Sequence, residues 1–218
     1  MNFSLPDKTT VGRSMPKAEF YEHVDMSAAV RRAFIDQVKA INWRNKLAAT
    51  TLNVARGASV TEIEVFEIEL KGADLDEAIL RRLDETMCYH LLFVLTHEGR
   101  SQTWIGYKEA TSGGDKAFKV VRYYHTDWMP REAVNFALEG HDLDAVYAGL
   151  VRTVRGGEDA ADWQAPGALA ENVAYDIRRE KIEKRLATLR QKINREKQPR
   201  RAVALVHELR ELKKQLEG

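Results

Sequence analysis

Apolar positions recur at a period of two in some stretches of the chain and at spacings of three and four in others. Between 61 and 70, acidic and apolar residues alternate, which predicts a β-strand. The alternation slips at Val65-Phe66, which indicates either a β-bulge or a strand that passes from one covered face to another. Further strands are predicted at 89–97, 102–109 and 117–125.

Three capped helices are predicted around these strands. Each begins at a serine or aspartate that can accept a hydrogen bond from the first turn, and each carries apolar residues three or four positions apart. The caps and stripes are Ser27 with Val30 to Ile41, Asp74 with Leu75 to Leu83, and Asp142 with Leu143 to Val154. Gly156-Gly157 is expected to end the third helix, and residues 1–16, which contain two prolines, to form an irregular arm.

The order of these elements predicts an α+β fold, in which helices flank a mixed sheet with a β-α-β-β-β run. The helix between the first two strands makes a parallel crossover, and the short glycine-containing connectors at 98–101 and 111–115 favour an antiparallel meander after it. Because 91–95 is apolar at every position, the second strand is expected at the centre of the sheet.

The last forty-three residues follow a narrower pattern, with apolar residues alternately four and three apart. The seam positions are Ile182, Leu186, Leu189 and Ile193, then Leu205, Leu209, Leu212 and Leu216. This spacing predicts a C-terminal antiparallel, coiled-coil-like helical hairpin with its bend at Pro199. The chain is therefore expected to comprise a globular domain at 1–157, a linker and start of the tail at 158–175, and the hairpin at 176–218.

Charge separates the same two parts. The 218 residues carry a net charge of +1, but residues 176–218 hold 14 Lys and Arg against 7 Asp and Glu, a net of +7, which leaves −6 for the rest. A basic helical segment beside an acidic body indicates a nucleic-acid or acidic partner. The alternative is that the cations only solvate the outer faces of the hairpin.

Four cations cluster around the predicted bend and form the candidate binding site: Arg195, Lys197, Arg200 and Arg201. Such a cluster releases counterions when it contacts a phosphate backbone. The region has no aromatic residues to stack on bases, which disfavours single-strand or sequence-specific recognition. Contact with duplex phosphates or with an acidic protein surface is therefore expected.

The candidate catalytic residues lie on the first predicted strand. Glu69 and Lys71 are two positions apart and share a face, and Glu67 precedes them on the same face. Restriction-type nucleases use such a pair, with an acid from a neighbouring strand, to hold magnesium and orient water. The alternative is an amphipathic edge strand with its acids in water, and no preceding strand is predicted to supply the further acid.

No metal site and no cofactor is predicted. His90, His97 and His125 lie on or at the ends of predicted strands, and Cys88 is two positions from His90, but a single such pair is weak evidence for zinc. Structural histidines are the preferred interpretation.

The single cysteine excludes an internal disulfide and fits a reducing compartment. No stretch approaches the ~18 apolar residues needed to cross a bilayer. With 44% hydrophobic and 31% charged residues, the composition is that of a soluble globular protein with a charged extension. A cytoplasmic location without membrane contact is expected.

Several short segments carry a family resemblance, among them WRNKLA at 43–48, TEIEVFEI at 61–68, WIGYKE at 104–109, YYHTDW at 123–128 and INREKQ at 193–198. From about 16 to 216, the chain resembles the bacterial domain-of-unknown-function family 4391. It departs at Cys88, where the family has proline, and at Pro199, where an aromatic residue is more common. The family carries no established activity. The resemblance implies an accessory role near DNA, because members are often encoded beside helicases and DNA methyltransferases of restriction-like or antiphage systems.

Two functional hypotheses result. The preferred one is a non-catalytic accessory or adaptor protein of a bacterial DNA-processing or defence system, whose basic hairpin contacts duplex DNA or a helicase or methyltransferase partner. The alternative is a magnesium-dependent nuclease that uses Glu67, Glu69 and Lys71. A homo-oligomer that pairs through the hairpin seams is a third possibility.

Overall fold

The computed structural model describes residues 3–111, 118–156, 163 and 169–217. The chain divides into two compact units, Met1–Gly167 and Ala168–Gly218. The strands are β1 (Thr10–Met15), β2 (Val38–Ala48), β3 (Glu62–Leu70), β4 (His90–His97), β5 (Arg100–Ala110), β6 (Phe118–His125) and β7 (Met129–Pro130). The helices are α1 (Lys17–His23), α2 (Ala28–Gln37), α3 (Ala49–Leu52), α4 (Glu77–Thr86), α5 (Leu143–Arg155), α6 (Leu169–Arg195) and α7 (Pro199–Glu217), and 3-10 turns span Asp7–Thr9 and Arg131–Ala133.

The described strands of the first unit form one mixed sheet in the order β1-β2-β3-β4-β5-β6, with β7 paired to the start of β5. Only β3 and β4 run parallel, and α4 connects them; the other pairs are antiparallel. The predicted α+β fold with its β-α-β-β-β run is confirmed. β4 lies inside the sheet and is buried at every position except His97, as its apolar sequence predicts.

Apolar side chains cover the sheet on both faces. Phe66, Ile68 and Leu70 belong to the core cluster that also contains apolar residues of α2 and α4. Ile63 and Val65 point to the opposite face because side chains alternate along a strand, and both are fully buried. β3 is therefore covered on both sides. A register shift lies opposite the Val65-Phe66 slip, in β2 between Trp43 and Asn45.

The structure corrects the N-terminal half of the prediction. Residues 10–15 are not irregular but form edge strand β1, which pairs with β2. The helix capped by Ser27 does not continue to Ile41, because it ends at Gln37 and β2 begins at Val38. β2 contains two register shifts against β3, which break the period-two pattern that would have revealed it.

The predicted helix caps are confirmed at two of three positions. The Ser27 hydroxyl accepts from the Val30 amide at 3.3 Å, and the Asp142 carboxylate accepts from the Ala145 amide at 2.8 Å. The cap of α4 is Asp76, not Asp74, and its carboxylate accepts from Ala78 at 2.9 Å. Gly156, with φ of +56°, ends α5 as predicted.

The second unit is a pair of antiparallel helices, which confirms the predicted hairpin. α6 begins at Leu169, and Pro199 is the first residue of α7, a position where its missing amide hydrogen costs little. Leu186 and Leu189 are buried, and the other predicted seam residues are half-buried. Arg185 joins the helices through an ion pair with Glu208 at 2.6 Å.

No described helix has the length and hydropathy of a membrane span. The predicted loop at Gly113-Gly114, and the segment 157–168 apart from Trp163, lie outside the described residues.

Candidate functional site

The four predicted binding cations come together at the bend of the hairpin. Arg195 is the last residue of α6, Lys197 lies in the three-residue connection, and Arg200 and Arg201 are in the first turn of α7. All four side chains are exposed. We call this group the bend cluster. It forms because the chain reverses within three residues, where the Gln198 amide donates to the Glu196 carboxylate at 2.8 Å.

The bend cluster is the densest group of cations in the hairpin sequence. Four of the ten other hairpin cations are paired with carboxylates: Arg179 with Glu183, Lys184 with Glu180, Arg185 with Glu208, and Lys214 with Glu211. The other six are spread along the helices without an ion pair among the described residues. Within the described part of the chain, no bend-cluster side chain has a carboxylate within ion-pair distance. Residues 195–201 therefore hold four cations against one carboxylate, that of Glu196.

The start of α7 strengthens this positive potential. The first turn of a helix presents unsatisfied amide hydrogens and the positive end of the helix dipole. Arg200 and Arg201 lie in this turn, which contains no acidic residue. Cations at that position are mildly destabilising and favour a bound anion.

The second candidate set lies in a groove on the first unit. Glu67, Glu69 and Lys71 all line one cavity of about 720 Å³ at the end of β3. Their shared face follows from the period-two alternation of the strand. The other residues of the cavity wall are Lys39, Asn42, Leu70, Thr96, His97, Glu98, Gly99, Arg100 and Arg131. We call it the sheet groove.

Both β3 carboxylates of the sheet groove are already engaged by cations. The Glu67 side chain, only 6% exposed, is paired with Arg131 and with Arg44, whose Nε lies 3.6 Å away. Both guanidinium groups also lie against the ring of Phe3, at 5.9 Å for Arg44 and 5.6 Å for Arg131. Glu69 forms an ion pair with Lys39 at 2.7 Å. Coordination of a metal by these carboxylates would have to displace those cations.

The strands beside β3 supply no acid next to this pair. In the sheet register, Glu67 lies between Asn42 and Val94, and Glu69 lies between Ala40 and Thr96. A strand does precede β3, contrary to expectation, but it contributes an amide at this level. Within the described ranges, no group of three His, Cys, Asp or Glu residues is arranged to hold a metal ion.

Comparison with known protein families places the chain in a family. The model of the family described as Domain of unknown function (DUF4391) matches residues 3–216, which is nearly the whole chain. The chain belongs to the DUF4391 family. The resemblance seen in the sequence is thus confirmed, and DUF4391 membership by itself implies no reaction. Neither the curated proteins nor the solved structures contain a match to the chain.

The three histidines on or beside the predicted strands of this DUF4391 chain, His90, His97 and His125, do not meet. His90 and His97 are at opposite ends of β4, about 23 Å apart at the usual rise of a strand. His90 is buried between the rings of Phe118 and Tyr147, whereas His125 is exposed and stacks on Trp104 at 4.4 Å. Each histidine has a separate environment.

Sequence reasoning missed a buried polar network in the DUF4391 fold. The side chains of Asp84 on α4 and Lys108 on β5 are fully buried, with Oδ1 and Nζ 2.5 Å apart, and the Tyr123 hydroxyl donates to Asp84 Oδ2 at 2.5 Å. Burial raises the pKa of Asp84 and lowers the pKa of Lys108, although their mutual attraction opposes both shifts. The only sequence signal was an aspartate adjoining the Leu80-Leu83 stripe.

A second missed network joins β2 and β3. The Trp43 indole donates to Glu64 at 2.5 Å, and Lys46 pairs with Glu62 at 2.6 Å. Burial, together with the hydrogen bond that it shares with Glu62, raises the pKa of Glu64 to about 8. The alternative interpretation of β3, an amphipathic edge strand with its acids in water, does not hold here, because β3 lies between β2 and β4 and Glu64 is buried.

Proposed function

We propose that this chain is a non-catalytic accessory protein that binds the phosphate backbone of duplex DNA through the bend cluster. The observation that carries the proposal is the set of four exposed cations at one end of the hairpin, without carboxylate partners among the described residues. Clustered cations of this kind bind nucleic acid mainly by releasing counterions.

Three features favour phosphate contact over recognition of bases. Residues 176–218 contain no Phe, Tyr or Trp, so the hairpin has no platform on which bases would stack. The first turn of α7 adds amide hydrogens that suit a phosphate oxygen. Four cations within seven positions supply closely spaced charge, which suits the phosphate oxygens that accept most protein–DNA hydrogen bonds.

The biological setting is part of the same proposal. An accessory protein of a cytoplasmic DNA-processing or defence system, working with a helicase or methyltransferase, would use the bend cluster to stay on DNA while its partner acts. We do not extend the proposal to a magnesium nuclease, because Glu67 and Glu69 are held by cations and the adjacent strands add no acid.

The test compares two variants of equal charge. One replaces the bend cluster by alanine (Arg195→Ala, Lys197→Ala, Arg200→Ala and Arg201→Ala). The control replaces four paired cations of the same hairpin (Arg179→Ala, Lys184→Ala, Arg185→Ala and Lys214→Ala). Binding to a 30-base-pair duplex is measured by fluorescence anisotropy at several salt concentrations. The bend variant should bind more weakly, and the slope of log K against log salt should become shallower by up to about 3.6, since each lost phosphate contact contributes about 0.9.

The control variant should keep most of the wild-type salt slope. Equal losses in both variants would show that only net charge matters. Undiminished DNA binding by the bend variant would contradict the proposal, and so would magnesium-dependent cleavage of plasmid by the wild type that Glu69→Gln abolishes. Loss of a helicase or methyltransferase partner by the bend variant, with DNA binding intact, would assign the cluster to a protein surface instead.

A further inference from the structure

The sheet groove has the position of a ligand site. It lies where β3 and β4, the parallel pair, end, and its wall continues through the turn between β4 and β5. In open α/β sheets, ligands bind beyond the carboxyl ends of the parallel strands, and the one parallel pair among the described strands here offers the corresponding position. A cavity of about 720 Å³ also falls within the size range of small-molecule sites.

Two polar side chains in the wall have unused hydrogen-bonding capacity. Thr96 is only 6% exposed, and Asn42 is half-buried. Neither side chain has a hydrogen-bond partner within the part of the chain that the structure describes. Their polar atoms are not among the buried unsatisfied atoms of the described residues, so both are open to the cavity and available to a ligand or to water there.

The groove wall holds four cations, Lys39, Lys71, Arg100 and Arg131, against the carboxylates of Glu67, Glu69 and Glu98, so a small positive excess remains. Glu67 and Glu69 are matched by Arg131, Arg44 and Lys39. Lys71 and Arg100 have no carboxylate partner among the described residues: Lys71 Nζ donates to the Ile35 carbonyl at 2.8 Å, and Arg100 donates to the Trp128 carbonyl at 2.6 Å. An ammonium has three donors and a guanidinium five, so both retain donors for an anion.

We propose that the sheet groove binds a phosphate monoester of nucleotide size. Lys71 and Arg100 neutralise the phosphate, Thr96 donates a hydrogen bond to it, and Asn42 contacts polar groups of the remaining molecule. A phosphate suits this wall better than a divalent cation, because the cations of the groove are the groups with spare capacity. The phosphate can come from a free mononucleotide or from the 5′ end of a DNA strand. This site does not depend on the bend cluster.

The experiment uses isothermal titration calorimetry on the full chain in a phosphate-free buffer of low ionic strength. The probes are adenosine 5′-monophosphate, adenosine, and a single-stranded decanucleotide with or without a 5′-phosphate. We expect the phosphorylated member of at least one pair to bind at least tenfold more tightly than its unphosphorylated partner. The pair that shows this difference identifies the source of the phosphate.

Variants connect this difference to the groove. Lys71→Gln with Arg100→Gln should weaken binding of the phosphorylated probe at least tenfold, because two charge-assisted contacts are removed. Both side chains are exposed, so the fold should be retained. Thr96→Val keeps the side-chain shape and should weaken binding at least threefold. The alanine variant of the bend cluster should preserve the preference for the phosphorylated probe.

Three results would overturn the inference: no measurable binding of any probe at millimolar concentration, equal binding of phosphorylated and unphosphorylated probes, or unchanged affinity in the Lys71→Gln, Arg100→Gln double variant. A loss of phosphate preference in the bend variant would assign the phosphate contact to the hairpin. If the bend variant lost duplex binding but kept the preference for the phosphorylated probe, the phosphate site in the sheet groove would be supported independently of the bend cluster.

Discussion

Replacing His90 by phenylalanine should make the protein less sensitive to acid. His90 is 4% exposed, and its ring centroid lies 5.0 Å from that of Phe118 and 4.5 Å from that of Tyr147. Burial and the positive charge of Lys108 lower the pKa of His90 to about 4, although Asp144 opposes this shift. Phenylalanine keeps an aromatic ring at this position and removes the titrating group.

The sign and size of the effect follow from this pKa. A histidine whose pKa is lowered by folding stabilises the native state above its unfolded pKa, and this stabilisation is lost as the pH falls toward its folded pKa. For His90 this loss takes place as the pH falls from about 6.5, the ordinary histidine pKa, to about 4, the pKa in the folded protein. Each pH unit in this window corresponds to about 1.4 kcal/mol. Between pH 7 and pH 5, His90 should therefore lower the free energy of unfolding by about 2 kcal/mol.

Urea unfolding at pH 7 and pH 5 tests this value. The wild type should lose about 2 kcal/mol more than His90→Phe between the two conditions. Because both proteins contain the same carboxylates, the contribution of these groups to the pH dependence cancels when the two losses are compared. In parallel, the ring-proton NMR signal of His90 should retain the shift of a neutral imidazole at pH 5. Equal losses of stability in the two proteins, or a ring that is already protonated at pH 5, would refute the reasoning.

Two further predictions concern the buried networks. Lys108→Met should lower the free energy of unfolding by about 3 kcal/mol or more, because it leaves the Asp84 carboxylate buried without its cation. Adding Asp84→Asn to this variant should restore at least about 1 kcal/mol of that free energy. If urea unfolding showed that the losses of the two single variants simply add in the double variant, the coupling would be contradicted. Glu64→Gln should become more stable relative to the wild type, by about 3.5 kcal/mol, as the pH rises from 5 to 8, because a carboxyl whose pKa is raised by folding loses its stabilising contribution as the pH rises toward and through the raised value. A difference in melting temperature between the two proteins that stays constant across this range would exclude the effect.

The accuracy of the sequence-based predictions depended on how local their signals were. The central strand β4 and the caps Ser27 and Asp142 were found because an apolar run or one side chain beside a helix start is sufficient evidence. β2 was missed because two register shifts against β3 disturb its alternation. Val38 and Ile41 are three positions apart, a spacing that is also typical of one face of a helix, so they were assigned to the preceding helix although they lie on β2.

The two candidate sites also differ in how far apart in the sequence their residues lie. The bend cluster could be predicted because its members lie within seven positions and a proline marks the turn. Glu67, Glu69 and Lys71 were correctly placed on one face, since period two requires it. Their partners Arg44 and Arg131, and the opposing Thr96, come from elements far apart in the chain, and no local pattern connects them.

The sequence by itself determined the alternation of strands and helices, the hairpin, and the concentration of positive charge at its bend, because each depends on residues within one or two helical turns or one strand. Only the tertiary structure decided which charges are neutralised. Pairing of Glu67 with two arginines, burial of Asp84 against Lys108, and the meeting of Thr96 and Asn42 in one cavity wall all result from sheet order and register. The energy of a charge depends on what surrounds it, and those surroundings exist only after the distant strands have paired.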